Sequence, residues 1–313
     1  MSFPIFPHFR KLVPEDRAEY VVYFERVEPY SDFSFNNLII WLDLYGDLEI
    51  SRINSCIVLR FTHPFEPDRR TAYTLLGNRD CLHAINEIFA YQSQHQLPVE
   101  LAMVPECVVS NILHNHNLPQ DLVIHASNDH RDYLFDIADV LALQGQTLLN
   151  LRRNLHLFER QHAAQDVTIE VSSLADHTTQ TRILQALDTW QEDPDFIKND
   201  PQLDEAKALR RHFQYHSACP AECRCFFIDG KIFGFSIVHR PPQRGWAIFN
   251  HLKSSRSVPF GYDYIYHETL KQLYREDVSM INFEQDLGIP GLRTHKKQLG
   301  RAEFLYRYNI SRF

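Results

Sequence analysis

The strongest constraint on how this chain folds is an order of elements that runs through it twice. Hydrophobic spacing predicts helices over 13–46, interrupted at Pro29-Tyr30-Ser31-Asp32, with Tyr20, Val21, Phe24 and Val27 on a helical period. Two strand-like runs follow, Leu48 to Ile53 and Cys56 to Thr62, and Asn54-Ser55 between them reads as a hairpin turn. Next come a strand over Thr71 to Leu76, a helix over Arg79 to Gln94, a strand over Val99 to Val104, a short helix over Glu106 to Asn115 and a strand over Leu122 to Ala126. The second half starts the order again. Helical periodicity over Thr178 to Trp190 and Leu203 to His216 precedes strands Cys225 to Ile228 and Phe233 to Val238, which flank the hairpin signal Asp229-Gly230. Strand Gly245 to Leu252, helix Gly261 to Tyr274, strand Met280 to Glu284, helix Pro290 to Leu299 and strand Phe304 to Ile310 complete it. A mixed sheet covered by helices on both faces accommodates this order. The expected fold class is therefore α/β, with mixed sheets, in two tandem domains.

Size agrees, because 313 residues exceed one comfortable hydrophobic core. Thr147 to Gln161 reads as one connecting helix, and the expected division is 1–150 and 151–313, the second part carrying the site. The repeat is one of element order, with no sequence-level duplication. No apolar run approaches the roughly 18 residues that span a bilayer, and the proline-broken start Met1-Ser2-Phe3-Pro4-Ile5-Phe6-Pro7 has no signal-peptide pattern. A cytoplasmic protein is expected. The formal charge of −8 argues against a globally basic duplex-DNA binder while leaving room for a local basic patch. The six cysteines, scattered through apolar segments, read as buried thiols.

Chemistry is expected around Asn282-Phe283-Glu284-Gln285-Asp286. On a strand, alternate residues share a face, so Asn282 and Glu284 are expected to point together with Asp286 following. Gly288-Ile289-Pro290-Gly291 then opens a helix, on which Arg293 and Lys296 or Lys297 lie along one side. Two readings stand. In one, Glu284 or Asp286 accepts a proton during acyl transfer, Asn282 or backbone N–H groups stabilise the oxyanion, and Arg293 and Lys296 hold a phosphate-bearing donor. In the other, Glu284 and Asp286 pair with Arg293 and Lys296 in a network that pins helix to strand.

Further candidates are Arg152 and Arg153 on the connecting helix, which could meet a phosphate or a tRNA end, or simply form a solvated helix face. Lys253, with Arg256, precedes the helix from Gly261, whose start could meet an anion. The approach Ser254 to Gly261 has one glycine, so coenzyme A binding is weakly supported, and no dinucleotide or P-loop fingerprint occurs. His212, His216, Cys219, Cys223 and Cys225 lack paired Cys-x-x-Cys spacing and read as buried side chains, with no metal expected.

Several stretches resemble one known family. They are Phe35-Asn36-Asn37-Leu38 with Trp41, Asp132-Tyr133, Gly145, Arg152-Arg153-Asn154 with Phe158, Asp229-Gly230-Lys231 with Gly234-Phe235, and above all Ile281-Asn282-Phe283-Glu284-Gln285-Asp286-Leu287-Gly288-Ile289-Pro290-Gly291-Leu292-Arg293 with Lys296. Together they resemble the phosphatidylglycerol lysyltransferase C-terminal domain from about Phe33 onward. The resemblance implies two tandem GNAT-like acyltransferase domains related to the Fem-type aminoacyltransferases. It also implies a transferase moving an aminoacyl group from aminoacyl-tRNA to a lipid or cell-envelope acceptor. Alternatives are a non-catalytic ligand-binding module of the same fold and an acetyl- or acyl-CoA-dependent N-acyltransferase. No resident cofactor is implied; aminoacyl-tRNA or acyl-CoA is the expected donor and a peripheral lipid an expected acceptor. The family carries a histidine and an acidic residue before the lysine at Lys253. Asn250 and Leu252 stand there in this chain, unless His251 takes the place through a shift of one.

Overall fold

The structure, a computed structural model, describes residues 2–62, 70–114, 119–191 and 202–312. In chain order the elements are β1 (Arg10–Lys11), α1 (Arg17–Phe24), α2 (Phe35–Ile40), α3 (Leu42–Tyr45), β2 (Glu49–Ile53), β3 (Cys56–Thr62), β4 (Thr71–Leu76), α4 (Cys81–Gln94), β5 (Glu100–Pro105), α5 (Glu106–Leu113) and β6 (Leu122–Asp136). They continue with α6 (Ile137–Leu141), α7 (Leu149–Gln161), β7 (Val167–Ser173), α8 (His177–Gln191), α9 (Gln202–Gln214), β8 (Glu222–Ile228), β9 (Lys231–His239), β10 (Trp246–Ser254), α10 (Gly261–Arg275), β11 (Met280–Asn282), α11 (Pro290–Lys296) and β12 (Glu303–Arg312). Two units form. One holds Met1–Asp132, Gln285–Gly288 and Phe304–Phe313; the other holds Tyr133–Glu284 and Ile289–Glu303. No described helix is long and apolar enough to cross a membrane.

In the first unit, β1-β2-β3-β4 form an antiparallel sheet, and β5-β12-β6 lie in that order in a second set. Asn54, at φ 50, makes the turn that pairs Ile53 with Cys56. α4 and α5 bury Ile85, Ile88, Phe89, Val108 and Ile112 against Val58, Leu75, Leu101 and Ile310.

In the second unit the order is β6-β11-β10-β9-β8-β7, with β6 entering through Leu134, Phe135 and Asp136. The β8–β9 turn is Asp229-Gly230 with φ of 50 and 75, the doubly left-handed pair that a type I′ hairpin requires. Period-2 alternation along β8 makes the layers. Cys223, Cys225 and Phe227 pack with Ile183, Leu209 and Phe213 of α8 and α9, while Phe226 and Ile228 pack with Phe158 of α7 and Ile265 of α10. The sheet is therefore covered on both faces, and β8 and β9 are almost continuously buried.

The structure departs from the sequence expectation in several elements, among them β7, β6 and β11. β7 is a strand where the sequence reading assigns no element, with Val167, Thr168 and Ile169 paired to Ile228, Phe227 and Phe226. β6 runs 15 residues, through the polar stretch His125 to Asp132. β11 ends at Asn282, two residues before the expected Glu284.

Candidate functional site

β10 and β11 are parallel partners only over Trp246–Ile248 and Met280–Asn282. Beyond that point β10 continues to Ser254 while β11 stops, so the two strands cease to pair at their carboxyl ends. Such a place is where α/β sheets receive ligands.

The end of β11 is shaped by its own side chains. Asn282, fully buried, accepts the Glu284 N–H on its Oδ1 at 2.8 Å. Phe283 N–H donates to the Tyr133 carbonyl at 2.8 Å, and Tyr133 N–H donates to the Glu284 carbonyl at 3.0 Å. Glu284 is thereby held at φ 58, a left-handed conformation that a non-glycine residue adopts at a cost, and its side chain is half-buried. Lys296, 4% exposed, donates from Nζ to the Phe283 carbonyl at 2.5 Å, and its ammonium lies 5.4 Å from both the Tyr133 and Phe283 rings. This lysine braces the loop from inside. Arg293 stands half-buried on α11.

β10 carries a second group of polar side chains. Phe249 pairs with Val238 and His251 with Ile237, so Asn250 is an extra residue in the ladder. Bulges of this kind re-aim side chains. The bulge supplies, at that very point, a shift of one residue. Asn250 turns its Oδ1 to His239 Nδ1 at 2.9 Å. His251 and Lys253, two apart, both meet α9: the His251 ring is 5.7 Å from that of His212, and Lys253 is ion-paired with Glu205. His212 and His251 each enclose a ring nitrogen without a partner, Nδ1 and Nε2 respectively. Burial, reinforced by His239, depresses His212 to about 3. Burial, reinforced by His212 and then Lys253, holds His251 well below the usual imidazole range. On α10, burial raises the Asp263 carboxyl although Asn154 donates to it at 2.7 Å. Tyr262 packs edge-on against His295 at 4.9 Å.

In the first unit, Asp286 is fully buried and accepts the Gly288 N–H at 2.9 Å, with Leu287 at φ 53 and Gly288 at φ 72. Gln285 donates to Asp32 and faces His130 Nδ1 at 3.3 Å. Arg307, fully buried, is 2.9 Å from Asp132 and 3.0 Å from Asp32, and also donates to the His130 carbonyl. Asp132 accepts the Ser31 N–H and hydroxyl, both at 2.7 Å. Burial pushes the Asp32 carboxyl up, and Asp132 adds to this against the pull of Arg307.

Of the expected residues, Asn282, Glu284 and Lys296 fall around the end of β11 in the second unit, and Arg293 lies on α11 of the same unit. Asp286 falls in the first. Lys253 is occupied by Glu205 at the β10–α9 contact. Arg152 and Arg153 lie exposed on α7, and Arg152 donates to the Leu143 carbonyl at 2.6 Å. His212 and His216 each place a ring nitrogen on a backbone carbonyl, of Cys219 and Phe213. The Cys223 and Cys225 sulfurs sit 3.9 Å apart in the apolar layer. Sequence reasoning missed the Asp32–Arg307–Asp132 network and the His212–His251 pair. Their signals were slight: Ser31-Asp32 lay in a helix break and Asp132 in one short family stretch.

The family described as phosphatidylglycerol lysyltransferase, C-terminal, matches residues 25–299. A conserved protein of unknown function from Bacteroides thetaiotaomicron VPI-5482 has the same fold, with TM-score 0.82 and 19% identity over 100% of both chains. The L-PGS structure from Bacillus licheniformis gives TM-score 0.61 and 14% identity over 97% of this chain and 93% of that one. FemX gives 0.57 and 9% over 98% and 97%. No curated protein matches the sequence. These likenesses show a mixed α/β fold shared with the L-PGS and FemX structures.

Proposed function

The chain belongs to the phosphatidylglycerol lysyltransferase C-terminal family, and from that premise we propose that it is an acyl- or aminoacyltransferase with Glu284 as its proton acceptor. The observation that carries this reading is the loop conformation. Asn282, Tyr133 and Lys296 together hold Glu284 in a left-handed backbone state at the end of β11, where β10 and β11 cease to pair. Strain of that kind persists only where surrounding contacts over-determine it, and it concentrates at working sites. The Glu284 carboxylate takes the proton of an attacking amine or hydroxyl as the new bond to the acyl carbon forms. The donor oxygen or sulfur leaves with the bonding pair and receives that proton back. The Asn282 amide and nearby backbone N–H groups are the proposed oxyanion donors.

The finer reading is transfer of an aminoacyl group from aminoacyl-tRNA to a lipid or cell-envelope acceptor, with Arg293, Arg152 and Arg153 as candidate contacts to the donor. The head of α10 favours this over an acyl-CoA donor. Asp263 occupies its first turn and Glu205 already neutralises Lys253, both unfavourable to a pyrophosphate. Gly261 is also pressed against Ser254, whose Oγ is 2.6 Å from where a Cβ would stand. With this reading goes the division into repeats 1–150 and 151–313.

The test is Glu284→Gln, followed as labelled aminoacyl transfer from charged tRNA to lipid and, separately, as acyl transfer from acyl-CoA. Turnover is expected to fall roughly 10²-fold or more with unchanged circular dichroism. Equal turnover in the variant removes the assignment. A wild-type chain that binds these donors and transfers from neither is a binding module.

A further inference from the structure

Gln285 follows Glu284 directly and opens the stretch Gln285–Gly288, which belongs to the first unit. It is a long polar side chain, 6% exposed, in a loop where Glu284, Leu287 and Gly288 all hold positive φ. A methionine would fill the same space without needing partners, so what the amide adds is direction. Both of its ends are engaged. Nε2 donates to Asp32 Oδ2, which also faces Arg307 Nε at 3.0 Å, and Oε1 lies 3.3 Å from His130 Nδ1. An amide oxygen only accepts, so His130 donates from Nδ1. Arg307 donates in turn to the His130 carbonyl, and is itself anchored on Asp132 at 2.9 Å. Gln285, Asp32, Arg307 and His130 thus close a ring of contacts within the first unit.

We propose that Asp32 and His130 are positioning residues for the transfer step, gripping Gln285 at both ends of its amide and so fixing the backbone beside Glu284. This rests on Glu284 as the proton acceptor and adds the residues that keep it in place. One hydrogen bond leaves an amide free to pivot about it, whereas two at opposite ends fix the plane of the group and the course of the chain that carries it. Consecutive Cα atoms are about 3.8 Å apart, so a fixed Gln285 confines Glu284 to a short arc. The left-handed φ of Glu284 persists only under such confinement. Proton abstraction is sensitive to it, because a misplacement of about 1 Å can cost on the order of 100-fold in rate. Burial holds the His130 imidazole below its usual range, with Asp32 opposing and Arg307 adding to the shift. The ring is therefore neutral at neutral pH, and its single N–H is the one given to Gln285.

The experiment compares His130→Ala, His130→Asn and Gln285→Met with wild type, in turnover with the donor that supports transfer and in amide hydrogen exchange read by NMR at Glu284. His130→Ala should lower kcat roughly tenfold, the weight of one hydrogen bond, with KM unchanged. Asparagine sets an N–H near the Nδ1 position, so His130→Asn should restore most of the rate. Gln285→Met removes both contacts and should cost at least as much, and adding His130→Ala to it should cost nothing further. A residue that only supports the fold would move the urea midpoint and show neither the rescue nor this non-additivity. The Glu284 N–H, accepted by Asn282 at 2.8 Å, should exchange about tenfold faster in His130→Ala. Full kcat in His130→Ala and Gln285→Met, or additive losses in the double variant, overturns the proposal, as does unchanged exchange at Glu284. Full turnover in Glu284→Gln overturns the proton-acceptor reading instead, while the exchange measurement still reports the clamp, so the two failures are told apart.

Discussion

Acid should destabilise this protein through a histidine that folding keeps neutral, and the effect can be isolated at His212. The imidazole is fully buried between α9 and β10, depressed by burial to about 3 from an ordinary value of 6.5. The unfolded chain therefore binds a proton that the folded one refuses. A depressed histidine costs nothing above the unfolded value, and the loss accumulates as pH falls from about 6.5 toward 3. At pH 5 the unfolded imidazole is about 97% protonated and the folded one about 1%, which integrates to about 2 kcal/mol. His251 acts in the same direction. His212→Gln removes the titration and keeps an N–H that can donate to the Cys219 carbonyl, now met by Nε2 at 3.1 Å. Urea unfolding at pH 7.5 and pH 5 measures the difference, since carboxylates common to both proteins cancel. Wild type should lose about 2 kcal/mol more than the variant between the two pH values. Parallel losses would refute the reasoning and mean that His212 is protonated, or solvated, in the folded state.

Two further perturbations test packing and charge. Gly234→Ala would place a Cβ 2.6 Å from the Lys253 carbonyl oxygen and 3.3 Å from the Ser254 Cα, backbone atoms that cannot step aside. It should cost about 1–3 kcal/mol by urea midpoint, and a neutral result would show that β9 and β10 can separate there. Asp132→Ala leaves Arg307 buried with half its compensation and orphans the Ser31 N–H, so a loss of about 3–5 kcal/mol is expected. A loss below about 1 kcal/mol, measured the same way, would mean that Asp32 alone balances the guanidinium.

What could be read in the sequence was local. Asp229-Gly230 needs only its own backbone to specify a turn, and Pro290 only its own ring to start a helix. The alternation of Val167, Ile169 and Val171 is equally local, but it is short and about half its side chains face solvent, so no strand is assigned there from sequence. β6 was not local. Beyond Ala126 the expected strand gives way to the polar run Ser127 to Asp132, and Asp132 meets Arg307 across 175 residues of chain. Nothing in either neighbourhood announces the other.

The spacing of Asn282, Glu284 and Asp286 is more instructive, because a period of two has two physical origins. On a strand it puts side chains on one face. In an Asx-type turn it lets a side-chain oxygen accept the N–H two residues on. The structure uses the second: Asn282 takes the Glu284 N–H and Asp286 takes the Gly288 N–H. Two oxygens that a strand would have aimed into a cleft are thus spent on backbone, and β11 ends where the first of these turns begins. The glycine two residues after Asp286 was the available clue, since Gly288 at φ 72 has no place in a regular strand. Glu284 differs from its two neighbours in the pattern because its carboxylate closes neither turn. The expectation of a shared polar face therefore gives way to turn-making, in which Asn282 and Asp286 each close a turn of the loop on either side of Glu284.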